Sequence, residues 1–159
     1  MTLILADTNL TLRMVEREHV DHNVAMSSVR SLRERGYTLA IVPQVVYEFW
    51  VVATRPKDVN GLGMAASEAI KELDELLPLF RLLRDARTIF EHWFELVARY
   101  AIIGKHAHDA RIVAAMLRHQ ISYVLTFNSQ DFSRFSSVQI VNPRDLSPLP
   151  ALIRPTRGT

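Results

Sequence analysis

Four short stretches of this chain, Leu3–Ala6, Tyr37–Val42, Ile121–Thr126 and Val138–Val141, are apolar at nearly every position, and helical patterns separate them. A strand that faces water on one side alternates between apolar and polar residues. These do not, so both of their faces must be covered. Strands of that kind belong to parallel sheets, whose crossover helices bury the two faces. The spacing therefore predicts an α/β protein, a three-layer α/β/α sandwich around a short central parallel sheet. In such sheets ligands bind at the carboxyl ends of the strands, and that is where chemistry is sought.

The intervening segments carry helical spacing. Val24–Leu32 is a helix ended by Gly36, and Gln44–Ala53 is an apolar helix opened by Pro43. Ala66–Leu77 steps at three and four residues until Pro78. Another helix starts near Thr88, with Ile89, Trp93, Leu96, Val97 and Tyr100 on one stripe, and Gly104 breaks it. Ala107–His119 is the last long helix. Thr11–Asn23 is polar, carries both charge signs and reads as a loop leading into a helix. Arg55–Gly63 is a loop rich in breakers. At 159 residues one domain is expected, over 1–147, with 148–159 as a flexible C-terminal tail marked by Pro148, Pro150 and Pro155.

No run reaches the ~20 apolar residues of a membrane helix. Met1–Asp7 lacks the basic region of a signal peptide, so a soluble, cytoplasmic protein is expected. There is no cysteine, which excludes disulfides, thiolate zinc sites, iron–sulfur clusters and a cysteine nucleophile. A metal here would be held by oxygen.

Certain carboxylates stand out against this background. Asp7 follows the first strand directly, in Leu5-Ala6-Asp7-Thr8-Asn9, where a helix cap or turn would serve equally well. Glu48 is the only charge between Arg35 and Arg55, on a helix that looks buried on most sides. Burying an unpaired carboxylate costs several kcal/mol, so it needs a partner, a cation, or a solvated strip shared with Gln44. Asp109 opens the last long helix, where the helix dipole favours an acid in any case. Asn128 and Asp131 follow the strand that ends at Thr126. Acids gathered in one place repel one another and resist ionisation unless a cation joins them. Oxygen ligands select a hard ion, Mg²⁺ or Mn²⁺.

Four segments in this order resemble the PIN domain, and most closely the VapC-like toxins of bacterial toxin–antitoxin pairs. They are Leu5-Ala6-Asp7-Thr8-Asn9, Pro43-Gln44-Val45-Val46-Tyr47-Glu48-Phe49, His108-Asp109-Ala110-Arg111, and Leu125-Thr126-Phe127-Asn128 followed by Asp131-Phe132. The resemblance spans Leu3 to about Val141. It implies a metal-dependent endoribonuclease leaving a 5′-phosphate and a 3′-hydroxyl. It maps the family's acids onto Asp7, Glu48 and Asp109 as ligands of Mg²⁺ or Mn²⁺. The family's fourth acid falls on Asn128, where this chain departs from the pattern, and Asp131 is the other candidate to complete the site. Thr8, Asn9 and Thr126 would orient the carboxylates and water. The resemblance also implies a homodimer and a small antitoxin partner.

An RNA substrate needs cations for its phosphates. Arg13, Arg17, Lys105, Arg111 and Arg134 lie close in sequence to these segments, and Arg111 falls on a different side of its helix from Asp109. Overall charge is nearly balanced, at 19 basic and 17 acidic residues. From Ala101 onward, however, seven basic residues face three acids. His106 and His108 sit two apart, which splits them across a helix. Two other readings stand beside the ribonuclease: a PIN-like domain that binds RNA or a protein partner without cleavage, and a phosphatase of similar metal chemistry. A haloacid-dehalogenase-like phosphatase would want an acid where Asn9 stands. No glycine-rich nucleotide motif is present. The run Phe90, Trp93, Phe94 and Tyr100 exceeds what a small core needs and would suit a partner.

Overall fold

A computed structural model describes residues 2–152 of the chain. Five strands, β1 (Leu3–Ala6), β2 (Thr38–Ile41), β3 (Arg81–Leu82), β4 (Tyr123–Leu125) and β5 (Gln139–Val141), form one sheet in the order β3-β2-β1-β4-β5. Every pairing is parallel. Six helices flank them: α1 (Thr8–Val15), α2 (His22–Glu34), α3 (Pro43–Thr54), α4 (Ala66–Leu76), α5 (Arg87–Arg99) and α6 (His106–Arg118). This is the expected α/β architecture. Ile4, Leu5, Leu39, Ile41, Val124 and Leu125 are almost wholly buried, as strands covered on both faces must be. No helix among the described residues is long and apolar enough to cross a membrane.

The sheet order matters for the site. From β1 the chain builds outward through β2 and β3 on one side, then crosses back to β4 and β5 on the other. The gap beyond the carboxyl ends of β1 and β4 is therefore the topological switch point, where open α/β sheets bind their ligands. The Asp7 N–H donates to the Leu125 carbonyl at 3.0 Å, so the first residue past β1 is fastened to the end of β4.

Three expectations change. The stretch from Thr11 begins inside a helix, since α1 runs from Thr8 to Val15. Leu10, Leu12, Met14 and Val15 are buried, and this apolar face outweighs the polar residues between them. Thr11 is itself fully buried, its hydroxyl donating to the Thr8 carbonyl at 2.7 Å. The second change is β3, which is only two residues long and carries no readable pattern. The third concerns α3, which is buried or half-buried over most of its surface as expected but leaves one strip open, with Tyr47 65% exposed and Val51 56%.

Gly36 and Pro78 act as expected, whereas α5 ends at Arg99, before Gly104 is reached. Gly36 ends α2 with a φ of 96°, which glycine adopts without strain. Pro78 turns the end of α4 into a short 3-10 turn, Leu77–Leu79. Arg35 donates to the carbonyls of Leu146 and Leu149, and the Tyr37 hydroxyl donates to that of Pro150 at 2.8 Å. Leu149 is buried. The first part of the stretch expected as a tail thus lies against the domain, and 153–159 fall outside the described residues.

Candidate metal centre

Asp7 takes the capping role that the sequence offered. Its backbone is extended and it caps α1, with Oδ1 accepting the Thr8 N–H at 2.8 Å. Its Oδ2 accepts from Asn9 Nδ2 at 2.9 Å and from the Thr126 hydroxyl at 2.9 Å. The Thr126 hydroxyl also accepts from Asn9 Nδ2 and from the Asn128 N–H, each at 3.0 Å. Asn9 Oδ1 accepts the Phe127 N–H at 3.1 Å. The loops after β1 and β4 are thereby sewn together by Asp7, Asn9 and Thr126. Thr126 is fully buried and its hydroxyl is fully used.

Glu48 arrives from α3, whose first turn Pro43 sets directly after β2. Its Oε2 accepts from the Thr8 hydroxyl at 2.6 Å and its Oε1 from Gln44 Nε2 at 2.7 Å. Gln44 is buried and one helical turn earlier on the same face. Its amide also donates to the His108 carbonyl at 2.9 Å, and its oxygen accepts from Arg111 at 3.1 Å. Arg111 reaches Asp85 as well, at 3.3 Å. Arg111, placed among the candidate RNA contacts on sequence, thus holds Gln44, which holds Glu48. Two carboxylate oxygens offer about four lone-pair positions. Asp7 uses three in these bonds and Glu48 two, so each retains acceptor capacity for a cation.

Asp109 sits in the first turn of α6, half-buried. Trp93 Nε1 donates to the Ala107 carbonyl at 2.9 Å and fastens that turn to α5. Asp109 Oδ2 lies 3.2 Å from His106 Nδ1. One ligand atom from each of His106, Asp109 and Asp131 lies within 4.8 Å of the other two. Asp131, on the 3-10 turn Ser129–Asp131, therefore stands beside Asp109. Asn128 meets the site through its backbone N–H, and the residue is exposed.

The electrostatics show that the groups sense one another. Burial raises the Asp7 carboxyl from its ordinary 3.8 to about 7. The Thr126 and Thr8 hydrogen bonds oppose this, and the charges of Glu48 and Asp109 add to it. The Asp109 carboxyl is also raised, by burial first and then by Asp131. His106 acts in the opposite direction on Asp109, and Glu48 reinforces the rise. Four carboxylates, from the end of β1, the second turn of α3, the first turn of α6 and the turn after β4, are linked in this way, Asp131 through Asp109. That donor set fits a divalent cation, which would favour the ionised forms of Asp7 and Asp109.

The remaining candidates fall outside this cluster. Arg13 pairs with Glu16, and Arg17 with Glu72 at 2.8 Å. Lys105 and Arg134 are exposed. Gln44 and His106 were not singled out as site residues on sequence, although Gln44–Glu48 (i,i+4) and His106–Asp109 (i,i+3) are the spacings that share a helix face. Beside Glu48 an open groove of about 430 Å³ is lined by Thr8, Tyr47, Val51, Val52 and His108.

The model of a protein family described as the PIN domain matches residues 4–138. No curated protein matches the chain. Among solved structures, VapBC2 from Rickettsia felis, bound to a DNA fragment from its promoter, aligns at a TM-score of 0.69 with 16% identity. That match covers 89% of this chain and 98% of the other. DNA-bound VapBC from Salmonella typhimurium aligns at 0.68 with 15% identity, over 90% and 99%. VapC20 of Mycobacterium tuberculosis, a sarcin–ricin loop cleaving toxin, aligns at 0.63 with 16% identity, over 83% and 95%. At these identities the likeness is one of fold.

Proposed function

The chain belongs to the PIN domain family, and from that premise we propose that it is a divalent-cation-dependent endoribonuclease acting as the toxin of a toxin–antitoxin pair. The observation that carries the reading is that Glu48 and Asp109 act on buried Asp7, and Asp131 and Glu48 on Asp109, at the switch point of the sheet. Asp7, Glu48 and Asp109 would hold Mg²⁺ or Mn²⁺. When bound, the ion supplies a water of lowered pKa and offsets charge on the phosphoryl oxygens. Asp7 and Glu48 are kept in place by Thr8, Asn9, Thr126 and Gln44, so the carboxylates need no rearrangement when a phosphate arrives. Lys105 and Arg134 are exposed cations near the site segments, available to RNA phosphates.

A protein partner has support in the surface. Phe90 and Phe94 are 61% and 62% exposed on α5, and Tyr47 and Val51 are exposed on α3. The solved relatives include VapBC complexes. A small antitoxin covering these helices, and a homodimer, complete the proposal.

Purified protein incubated with structured RNAs and Mn²⁺ or Mg²⁺ is expected to give discrete fragments bearing 5′-phosphates, and EDTA to abolish them. RNA retained on the protein but left intact would favour a binding domain. Phosphate release from small esters alone would favour a phosphatase.

The support of Asp7 gives a further expected result. Thr126→Val keeps the shape of the side chain but removes the donor to Asp7 Oδ2 and the acceptor for two N–H groups. Cation affinity should fall ~10–100-fold, the usual cost of losing a partner that orients a ligand. Calorimetric titration with Mn²⁺ measures it. An unchanged affinity would mean that Thr126 has no part in aiming Asp7.

A further inference from the structure

Asp109 has two neighbours that differ in kind from Asp7 and Glu48. His106 lies one turn before it on α6, with Nδ1 3.2 Å from Asp109 Oδ2. Asp131 comes from a separate element, the turn after β4. Ligands about 2.0–2.2 Å from a common ion stand roughly 3–4.3 Å from one another. One atom from each of the three side chains lies within 4.8 Å of the others, which matches one face of a coordination sphere with little adjustment. All three residues are partly exposed, so an ion and its waters have a path in.

The chemistry of this trio is not that of Asp7 and Glu48. Mg²⁺ prefers carboxylates and water and rarely takes imidazole, whereas nitrogen donors suit first-row transition ions. We propose that His106, Asp109 and Asp131 form a nitrogen-containing cation position, with Asp109 shared between it and the Asp7–Glu48 side, and that it selects a first-row transition divalent cation such as Mn²⁺ over Mg²⁺. The proposal rests on the reading of Asp109 as a cation ligand, and it assigns His106 as the determinant of metal choice. The absence of cysteine does not, on this geometry, restrict the site to oxygen.

The test uses Mn²⁺ itself as the probe, bound to the full chain in the absence of RNA. Pulsed electron paramagnetic resonance of the Mn²⁺ complex should show coupling to a directly bound ¹⁴N nucleus. His106→Ala should abolish that coupling and weaken Mn²⁺ binding by ~10-fold or more, while Mg²⁺ affinity moves far less. His106→Gln separates a ligand from a positioning residue. It can still hydrogen-bond Asp109, so it should fail to restore the Mn²⁺ preference. Wild-type protein with no nitrogen coupling, equal losses for both ions, or full rescue by glutamine would overturn the proposal. RNA cleavage assayed in parallel bears only on the nuclease reading. A chain that binds Mn²⁺ through His106 but leaves RNA intact would keep this inference and sink the other.

Discussion

Asp7→Asn should lose RNA cleavage by at least about a thousandfold while leaving a folded protein. Metal-assisted hydrolysis draws several kcal/mol of transition-state stabilisation from the ion, and each 1.36 kcal/mol is a factor of ten in rate. Asparagine has the shape of aspartate, so the packing around β1 is kept, and its oxygen can still accept the Thr8 N–H that caps α1. Its amide cannot ligate a cation as a carboxylate does, and it presents a donor to Asn9 Nδ2, itself a donor. Asp7→Ala would be a poorer test, because it also removes the cap, a loss of about 1 kcal/mol. The assay is cleavage of a structured RNA with Mn²⁺, alongside thermal unfolding of the same preparation. An Asp7→Asn protein that cuts at the wild-type rate would show that the cluster is not the active site.

Without a cation, stability should fall as the pH rises from 4 to 7, and Mn²⁺ should restore it. Asp7 in the folded chain titrates at about 7, against 3.8 ordinarily. Between those values the folded state holds a proton that the unfolded state has released, so raising the pH favours unfolding. The stabilisation is whole below pH ~4 and is lost as the pH passes through about 7. A shift of this size corresponds to a few kcal/mol, at 1.36 kcal/mol per pH unit. Asp109 is raised as well and acts in the same direction. A bound cation favours the ionised carboxylates, so its effect on Tm should be small at pH 5 and large at pH 8. Thermal melts across this range in EDTA and in Mn²⁺ measure both trends. The Asp7→Asn variant in EDTA isolates the contribution of Asp7 and should show a flatter curve. Wild-type and variant curves that run parallel would refute the assignment.

Much of this arrangement could be read from residue order alone, for definable reasons. Strands buried on both faces leave uninterrupted apolar runs, and a parallel sheet leaves its chemistry at strand ends, so Asp7 and the segment after Thr126 were visible. Glu48 stood out because α3 carries no other charge. What stayed hidden depended on partners far away in sequence. Gln44 reads as a neutral helix residue until Arg111 and the His108 carbonyl meet its amide. Arg111 reads as a surface cation until its guanidinium is found on Gln44 and Asp85. The helix α1 was obscured because Thr8 and Asn9 bond to the site carboxylates, Thr11 bonds back to the helix and Arg13 pairs with Glu16 just past its end. The edge strand β3 has two residues and depends on β2 for its existence.

The seam between Asp7 and Thr126 also has a consequence for timing. These residues are 119 positions apart, and each helps to hold the loop of the other. Contacts so distant in sequence form late, because the intervening chain must be closed into a loop first. During synthesis, at ~5–20 residues per second, a nascent chain that has Asp7, Glu48 and Asp109 outside the ribosome still lacks β4 and Thr126. It cannot aim Asp7, so whatever the finished centre does, the partly made chain cannot do it. On the proposed nuclease reading, a chain translated from RNA gains from this an interval of enforced inactivity, written into the order of its strands.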